Sequence, residues 1–166
     1  MTDKNIILDA LQIQQKVKRI AYQIYENNAN ETEIVLAGIS VNGYTFAKEI
    51  EKSLASISPL KITMCEVFID KKNPLQPIKT SIDSKEYQNK SLVLVDDVLN
   101  SGATLIYGIK HFLEVPLKRF KTAVLINRNH KKYPVKADFK GISLSTTLQE
   151  HVSVEFKENN ATAYLM

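Results

Sequence analysis

Three uninterrupted apolar runs of strand length restrict most strongly what this chain can fold into. They occupy residues 34–37, 92–95 and 123–126. Strands that are apolar on both faces need a cover on both faces, which is the situation of parallel strands between layers of helices. The runs therefore predict an α/β fold with a mostly parallel, twisted sheet flanked by helices.

The segments between these runs have helical periodicity. A first helix is predicted after Asp9, a suitable N-cap, and before the asparagine-rich residues 27–30. Further helices are predicted before Pro59 and after Gly102. Strands that alternate with helices indicate right-handed crossovers within one sheet. The buried face of the first helix is predicted from apolar residues at steps of four, three and four: Ile13, Val17, Ile20 and Ile24.

The rest of the chain predicts one long loop and several short strands. Residues 70–90 follow a predicted strand, contain Pro74 and Pro77, and show neither a helical nor a strand period. A loop of that length in a compact domain is usually a lid or a disordered segment. With no linker or repeat to divide them, residues 1–166 are predicted to form a single domain. Short apolar pieces near the end could add an edge strand or form a small cap: 142–144, 152–156 and 163–165.

Residues 92–105, LVLVDDVLNSGATL, carry most of the chemical information. An apolar strand leads into two carboxylates, Asp96 and Asp97, and a turn of mostly small residues then opens a helix. Ligands bind at this edge of open α/β sheets. Backbone N–H groups of the turn can converge on a phosphate, and the carboxylates can accept hydrogen bonds from sugar hydroxyls. The turn consists of Asn100, Ser101, Gly102, Ala103 and Thr104.

Two common nucleotide-binding motifs, GxxxxGK[ST] and GxGxxG, do not occur in the sequence. The plain structural alternative for the two acids is a helix-capping turn after a strand. The coincidence of two acids, a small-residue turn and a four-residue apolar strand favours a site for a phosphorylated sugar instead.

The same stretch resembles the phosphoribosyl diphosphate signature of the type I phosphoribosyltransferases, with VDDV at 95–98 and SGAT at 101–104. Over nearly the whole chain, least between residues 68 and 90, the sequence is similar to one branch of that family. This branch combines regulation of pyrimidine operons with uracil phosphoribosyltransferase activity. The wider similarity includes Ile7-Leu8-Asp9, Arg19-Ile20-Ala21, Gly38-Ile39, Ala47-Lys48, Ala123-Val124-Leu125, Arg128, His130, Pro134, Ala137-Asp138, Gly141 and Ser145.

The resemblance implies how a sugar diphosphate would be held. Asp96 and Asp97 would bind the 2- and 3-hydroxyls of the ribose, and residues 100–104 would hold its 5-phosphate. Mg²⁺ would bridge the diphosphate and the sugar, a role that suits this ion because it binds few carboxylates together with substrate oxygens. The diphosphate would lie against the segment Ser40, Val41, Asn42 and Gly43.

The resemblance also implies a flexible lid and a small hood. The lid would be residues 70–90, with Lys71 and Lys72, and it would close over the site to exclude water. The hood segment, residues 127–135, would face the base, which is uracil in that branch. Its candidate base contacts are Arg128 and His130.

Two segments depart from the pattern of the branch. Relatives have Lys-Thr-Arg-Gly where this chain has SVNG at 40–43, so both cations expected at the diphosphate are missing. Lys71 and Lys72 are candidates to compensate, although a solubilising role is open for them as well. The sequence NRNH at 127–130 replaces Asp-Arg-Gly-His, which leaves base specificity and RNA binding open.

Charge is unevenly distributed along the chain. The net charge is +4, yet residues 118–140 carry eight basic residues and one acidic residue, or +7, against −3 elsewhere. Such a segment can attract RNA or phosphates, or it can be a solvated face. Three functions stay open: a uracil phosphoribosyltransferase, a nucleotide-sensing RNA-binding regulator with little turnover, and a purine phosphoribosyltransferase. A homodimer or larger homo-oligomer is expected from the family resemblance.

Composition sets the remaining expectations. The single cysteine, Cys65, cannot form an intramolecular disulfide and is expected to be a half-buried strand residue. With no apolar leader and no apolar stretch of membrane-spanning length, the chain is expected in the cytoplasm without a membrane partner. His111 and His151 are expected at the surface.

Overall fold

The computed structural model describes residues 4–157 and 160–166, which contain three α-helices and nine strands. The helices are α1 (Ala10–Asn27), α2 (Asn42–Ile57) and α3 (Ala103–Phe112), and a 3₁₀ turn covers Ser84–Glu86. The strands are β1 (Asn5–Leu8), β2 (Glu33–Ile39), β3 (Lys61–Phe68), β4 (Lys79–Thr80), β5 (Ser91–Leu99), β6 (Arg119–Arg128), β7 (Phe139–Leu144), β8 (Val152–Lys157) and β9 (Asn160–Leu165).

Six strands form the central sheet, in the order β4-β3-β2-β5-β6-β7. The edge pair β3–β4 is antiparallel, and the other four neighbouring pairs are parallel. Every residue of the interior strand β5 is buried, as its continuous apolar run predicts. The prediction of a mostly parallel α/β sheet is confirmed.

Helices cover both faces of this sheet. On one face, Ile20 of α1 and Phe46 of α2 are fully buried in the core that also contains Val93 and Val95 of β5. On the other face, Phe112 of α3 belongs to the core that contains the intervening residues of β5. Alternate residues of a strand point to opposite faces, so β5 contributes to both cores.

The first helix begins as predicted. The side chain of Asp9 accepts a hydrogen bond from the amide of Gln12, and the Gln12 side chain accepts one from the amide of Asp9. This reciprocal capping satisfies two N–H groups that the helix itself leaves unpaired. The predicted apolar face is confirmed, because all four of its residues are buried: Ile13, Val17, Ile20 and Ile24.

The short strands near the carboxyl terminus serve both purposes that the sequence left open. β7 pairs in parallel with β6 and extends the central sheet. β8 and β9 form a hairpin, and β9 also pairs with β1, which makes a separate three-stranded antiparallel sheet. This second sheet brings the two ends of the described chain together, and its strands β9 and β8 contact α1 and α2, respectively.

The prediction of an unbroken loop over residues 70–90 is wrong in its second half. There, β4 pairs with β3, and the turn Ser84–Glu86 leads to Tyr87, which is buried with its ring centroid 5.0 Å from that of Phe112. A two-residue strand and a single turn are too short to show a period in the sequence. Residues 69–78 remain irregular.

Cys65 and His111 are more enclosed than predicted. Cys65 is fully buried in β3, and burial raises the pKa of its thiol to about 11, so the thiol stays protonated at neutral pH. His111 is half-buried beside Phe112, and its Nε2 has no hydrogen-bond partner among the described residues. His151 is exposed, as predicted. Within the ranges 4–157 and 160–166, no helix has the length and apolarity required to span a bilayer.

Candidate functional site

The two neighbouring carboxylates lie within β5 and not in the turn that follows it. Asp96 aligns with Val124 of β6, and the ladder between these strands continues to Leu99. The predicted strand end at residue 95 is therefore wrong, since the acids interrupt the apolar run but not the backbone pairing. Both carboxylates are buried, with exposed fractions of 3% for Asp96 and 8% for Asp97.

The first turn of α2 abuts this carboxylate pair. A Cβ added to Gly43 would lie 2.8 Å from the carbonyl oxygen of Val95 and 3.0 Å from Asp96 Oδ1. Such contacts are too close for any side chain, so glycine is required for the backbone of α2 to approach β5. The amino end of α2 therefore lies directly against the part of β5 that carries the acids.

The segment predicted to hold a diphosphate spans the end of a loop and the start of a helix. Ser40 and Val41 connect β2 to α2, whereas Asn42 and Gly43 already belong to the first turn of α2. The second half of the segment is therefore helical. Val41, which precedes the helix, makes no side-chain capping hydrogen bond, so the first N–H groups of α2 receive no cap from it. The Ser40–Val41 peptide bond is cis.

Asn42 connects the carboxylate pair to the small sheet. Its side-chain amide donates to Asp97 Oδ2 at 3.2 Å and to the carbonyl oxygen of Val154, in β8, at 2.9 Å. Both hydrogens of this amide are thereby engaged within the protein. Asn42 orients Asp97 in the structure and has no free donor for a ligand.

Asp96 is electrostatically unusual. Burial raises its pKa well above the ordinary carboxyl value, the adjacent charge of Asp97 raises it further, and Lys71 opposes the shift. The Lys71 ammonium lies 3.6 Å from Asp96 Oδ1. Among the described residues, no other lysine or arginine lies within ion-pair distance of this carboxylate. Lys72 is exposed, and its side chain forms no ion pair with any of the described residues.

The turn of small residues lies directly beside the acids. Gly102 has φ +90°, a conformation that favours glycine, and it immediately precedes α3. A Cβ on Gly102 would lie 2.5 Å from Val135, so the hood segment packs closely on the turn. The amides of Lys132 and Tyr133 both donate to the carbonyl oxygen of Ser101, which ties the two segments together.

A small cavity of about 70 Å³ separates the turn from Asp96. Lys71, from the segment after β3, also lines this cavity. No other lysine or arginine of the described residues does so. The structure thus brings together Asp96, the predicted phosphate turn and one of the two predicted lid lysines. The turn contributes all five of its residues to the lining: Asn100, Ser101, Gly102, Ala103 and Thr104.

Arg128 is buried and bound by protein acceptors. Its guanidinium donates to Asn100 Oδ1 at 3.0 Å, to Thr146 Oγ1 at 2.8 and 3.0 Å, and to the carbonyl oxygens of Thr147 and Glu150. This arginine therefore joins the phosphate turn to the loop that precedes β8. The sequence did not signal Thr146, Thr147 or Glu150, because two of them act through backbone carbonyls that any residue would supply.

The other predicted hood residue is also engaged in this loop. The Nε2 atom of His130 forms a hydrogen bond with the carbonyl oxygen of Thr146. Neighbouring Asn127 is buried, and its amide donates to Ser143 in β7. Of the predicted base contacts, His130 is thus the more exposed and Arg128 the more enclosed.

No group of three or more His, Cys, Asp or Glu side chains in the described residues could form a dedicated metal site. The carboxylate pair has the chemistry of an Mg²⁺ ligand set that is completed by substrate. Mg²⁺ commonly binds through one or two carboxylates together with phosphate oxygens and water. The residues present therefore fit this ion only alongside a phosphorylated ligand.

The parallel sheet, the buried acid pair near its carboxyl edge and the adjoining turn of small residues define a protein of the phosphoribosyltransferase class. Residues 3–159 match the phosphoribosyl transferase domain family, and the chain belongs to this family.

Two relatives of similar length show which branch of the family this chain resembles. The chain is 33% identical to the bifunctional protein PyrR of Streptococcus agalactiae over 159 residues, which cover 93% of this chain and 91% of the relative. It is 34% identical to that of Macrococcus caseolyticus over 164 residues, 94% of each. The chain is therefore a PyrR-like member of the family.

Solved structures of more distant proteins share the fold. The hypoxanthine phosphoribosyltransferase of Trypanosoma cruzi has a TM-score of 0.77 at 14% identity, covering 96% of this chain and 95% of that one. A hypoxanthine-guanine phosphoribosyltransferase of Bacillus anthracis has a TM-score of 0.73 at 22% identity, covering 87% and 85%. At such identities the likeness concerns the architecture alone.

Proposed function

We propose that this chain transfers ribose 5-phosphate from phosphoribosyl diphosphate to a ring nitrogen of a nucleobase, uracil, giving UMP and pyrophosphate. The observation that carries the proposal is the pair of buried acids, Asp96 and Asp97, between an uncapped helix start and a turn of small residues. Such a pair suits a sugar diol flanked by two phosphate groups. PyrR-like sequence over most of the chain supports uracil as the base.

The parts of the substrate have separate places in this proposal. Residues 100–104 hold the 5-phosphate through backbone N–H groups and the hydroxyls of Ser101 and Thr104. Asp96 and Asp97 accept hydrogen bonds from the ribose hydroxyls. The diphosphate lies against residues 40–43, where the first N–H groups of α2 face it.

In this proposal, the carboxylates also accelerate the transfer of the ribosyl group. The bond between the ribose C1 and the diphosphate oxygen breaks with its electron pair leaving on the diphosphate, and the base nitrogen forms the new bond to C1 and loses its proton. Positive charge develops on the ribosyl ring during this exchange, and two fixed carboxylates beside the ring stabilise it. Bound Mg²⁺ would supply neutralisation of the leaving diphosphate.

The hood segment, residues 127–135, faces the base. Because the donors of Arg128 are engaged with protein oxygens, we assign this arginine to positioning the segment and not to contacting the base. His130 lies on the same segment and is half-buried, so it is the candidate base contact. A purine acceptor is the alternative outcome of the test below, because solved neighbours of similar fold are named for hypoxanthine and guanine.

The test is a transfer assay with Mg²⁺, phosphoribosyl diphosphate and each of uracil, hypoxanthine and guanine. Uracil should yield UMP and an equal amount of pyrophosphate, and Asp96→Asn/Asp97→Asn should lower the rate by at least two orders of magnitude, the scale of lost electrostatic stabilisation. Release of pyrophosphate with a purine only would reassign the base. Silence with every base, together with no calorimetric binding of phosphoribosyl diphosphate, would refute the proposal.

Three wider properties belong to the same proposal. Residues 1–166 act as one phosphoribosyltransferase domain, supported by the pairing of β1 with β9 across the whole chain. The chain forms a homodimer or larger homo-oligomer, as expected for the family. It works in the cytoplasm, because its charged substrates do not cross an apolar bilayer unaided.

RNA binding is a second candidate function. The relatives are named bifunctional, and the branch that the sequence resembles regulates pyrimidine operons. The specific observation in its favour is the group of exposed lysines on the hood segment and the strand after it: Lys131, Lys132, Lys136 and Lys140.

A further inference from the structure

The diphosphate segment of this chain contains no cation. Ser40, Val41, Asn42 and Gly43 are all neutral, and the Asn42 amide is already bound by Asp97 and Val154. The helix-start N–H groups supply only partial charges, equivalent to about half an elementary charge. A diphosphate at this place would therefore lack the full positive charge that such a group ordinarily finds on a protein.

Three other basic residues are bound or placed away from the proposed diphosphate position. Arg128 is buried with its guanidinium bound to acceptors on both sides of the phosphate turn. Lys132 is joined through its main chain to Ser101, which places it beside the 5-phosphate turn. Lys118 is paired with Glu31 at 2.8 Å, at the amino-terminal end of β6, which is the opposite edge of the sheet.

Lys71 lies close to the segment that is proposed to hold the diphosphate. Its segment follows β3, and the amide of Ser40 donates to the carbonyl oxygen of Val67, so the end of β3 and the diphosphate segment are adjacent. The ammonium of Lys71 lies 3.6 Å from Asp96 Oδ1 and lines the cavity beside the phosphate turn. Its side chain is 46% exposed, so it is free to turn away from Asp96 toward solvent or a ligand.

We infer that Lys71 is the diphosphate-binding cation of this chain, supplied from the segment after β3 in place of the missing cations of residues 40–43. The inference rests on the proposed function. Without a sugar diol at Asp96, Lys71 compensates part of the charge of this buried carboxylate. When the sugar diol occupies Asp96, the lysine turns to the diphosphate, whose charge is larger and more exposed.

A different role for Lys71 would give a different pattern of binding. If it served only to neutralise Asp96, its loss would affect every ligand that places a ribose diol on that carboxylate. UMP carries the same diol and 5-phosphate as phosphoribosyl diphosphate but has no diphosphate. Comparison of the two ligands therefore separates a contact with the diphosphate from a general effect on the site.

The experiment is calorimetric titration of wild type, Lys71→Met, Lys71→Arg and the matched control Lys72→Met, with phosphoribosyl diphosphate and Mg²⁺, and separately with UMP. We expect Lys71→Met to lower the affinity for phosphoribosyl diphosphate by about tenfold or more, which is the scale of one charged contact. The affinity for UMP should fall by less than about twofold. Lys71→Arg should restore most of the affinity, and Lys72→Met should match wild type.

Two results would overturn the inference. One is an equal loss for both ligands in Lys71→Met, which would reduce Lys71 to a counter-charge for Asp96. The other is wild-type affinity for phosphoribosyl diphosphate in Lys71→Met. A wild-type protein that binds UMP but not phosphoribosyl diphosphate would overturn the proposed function itself, and a defect confined to the variant would not.

Discussion

At the residue scale, Asp96 shows that the requirements of the site oppose those of stability. Its carboxylate is buried next to Asp97, and the nearby Lys71 is half-exposed and 3.6 Å away, which compensates the charge only in part. A buried charge without full compensation destabilises a fold. Residues kept in such conditions are typical of functional sites.

Replacing Asp96 by Asn should stabilise the protein while abolishing transfer. Because the pKa of Asp96 is raised in the folded state, the folded chain binds this proton more tightly than the unfolded chain. Wild type therefore loses stability relative to the variant as pH rises from the ordinary value of 3.8 through the raised one. The free energy of unfolding of Asp96→Asn should be higher by about 1–3 kcal/mol at pH 8.

Denaturant unfolding of both proteins between pH 4 and pH 8 measures this difference. The gain should shrink toward the acidic end, where Asp96 of wild type is itself protonated. Glu26→Gln, at an exposed position of α1, is the matched control and should show no gain. A destabilised Asp96→Asn at pH 8 would show instead that the ion pair with Lys71 outweighs the cost of burial.

At the scale of elements, the site depends on contacts between loops that follow different strands. Arg128, the last residue of β6, reaches Asn100 after β5 and Glu150 before β8. Lys132 and Tyr133 hold the same turn through Ser101. The phosphate turn and the hood are thereby fixed as one unit, and displacement of either segment displaces the other.

Arg128→Met should accordingly weaken the fold and the phosphate site together. The substitution removes hydrogen bonds from a buried guanidinium to half-buried and exposed acceptors, and we expect a loss of about 1–3 kcal/mol in the free energy of unfolding. Affinities for UMP and phosphoribosyl diphosphate should fall by similar factors, since the proposed function places the 5-phosphate of both ligands on residues 100–104. Denaturant unfolding and calorimetry measure the two effects, with Arg128→Lys as an intermediate case. A change of base preference at unaltered stability would instead make Arg128 a base contact.

At the scale of the whole molecule, the basic segment 118–140 does not form one surface. It includes the full length of β6, so Lys118 and Arg119 lie at one edge of the sheet, where both pair with Glu31. Arg128 is buried at the other edge. The charge available to RNA is thus the exposed group from Lys131 to Lys140, which is smaller than the net +7 of the segment indicates.

The proposed RNA binding should depend on the end of this segment that contains Lys131 and Lys132. Lys131→Glu/Lys132→Glu should weaken a complex with single-stranded pyrimidine-operon leader RNA and reduce the slope of log K against log salt by about 1–1.5, the value for two phosphate contacts. Lys118→Glu, at the opposite edge, is the control and should leave the slope unchanged. Identical slopes for wild type and the double variant would exclude this face as the RNA contact.

Features with local causes were predictable. The capping of α1 by Asp9 and its buried face follow from short-range spacing, and so do the buried interior strands. The pairing of β1 with β9 was not predictable, because two short strands separated by most of the chain carry no shared signal. For the same reason, the two residues of β4 carry no strand signal of their own. The enclosure of Cys65 depends on the neighbours that cover β3, which its own sequence does not specify.

The sequence by itself determined the parallel α/β architecture and the order of acids, small-residue turn and helix, because periodicity and turn chemistry act between residues close along the chain. Tertiary structure alone decided that Lys71 and not Lys72 meets Asp96, that Asn42 is held by Asp97 and Val154, and that Arg128 is enclosed. These outcomes depend on which side chains from distant segments meet at the carboxyl edge of the sheet. Such meetings are set by the packing of the whole chain and leave no periodic trace in it.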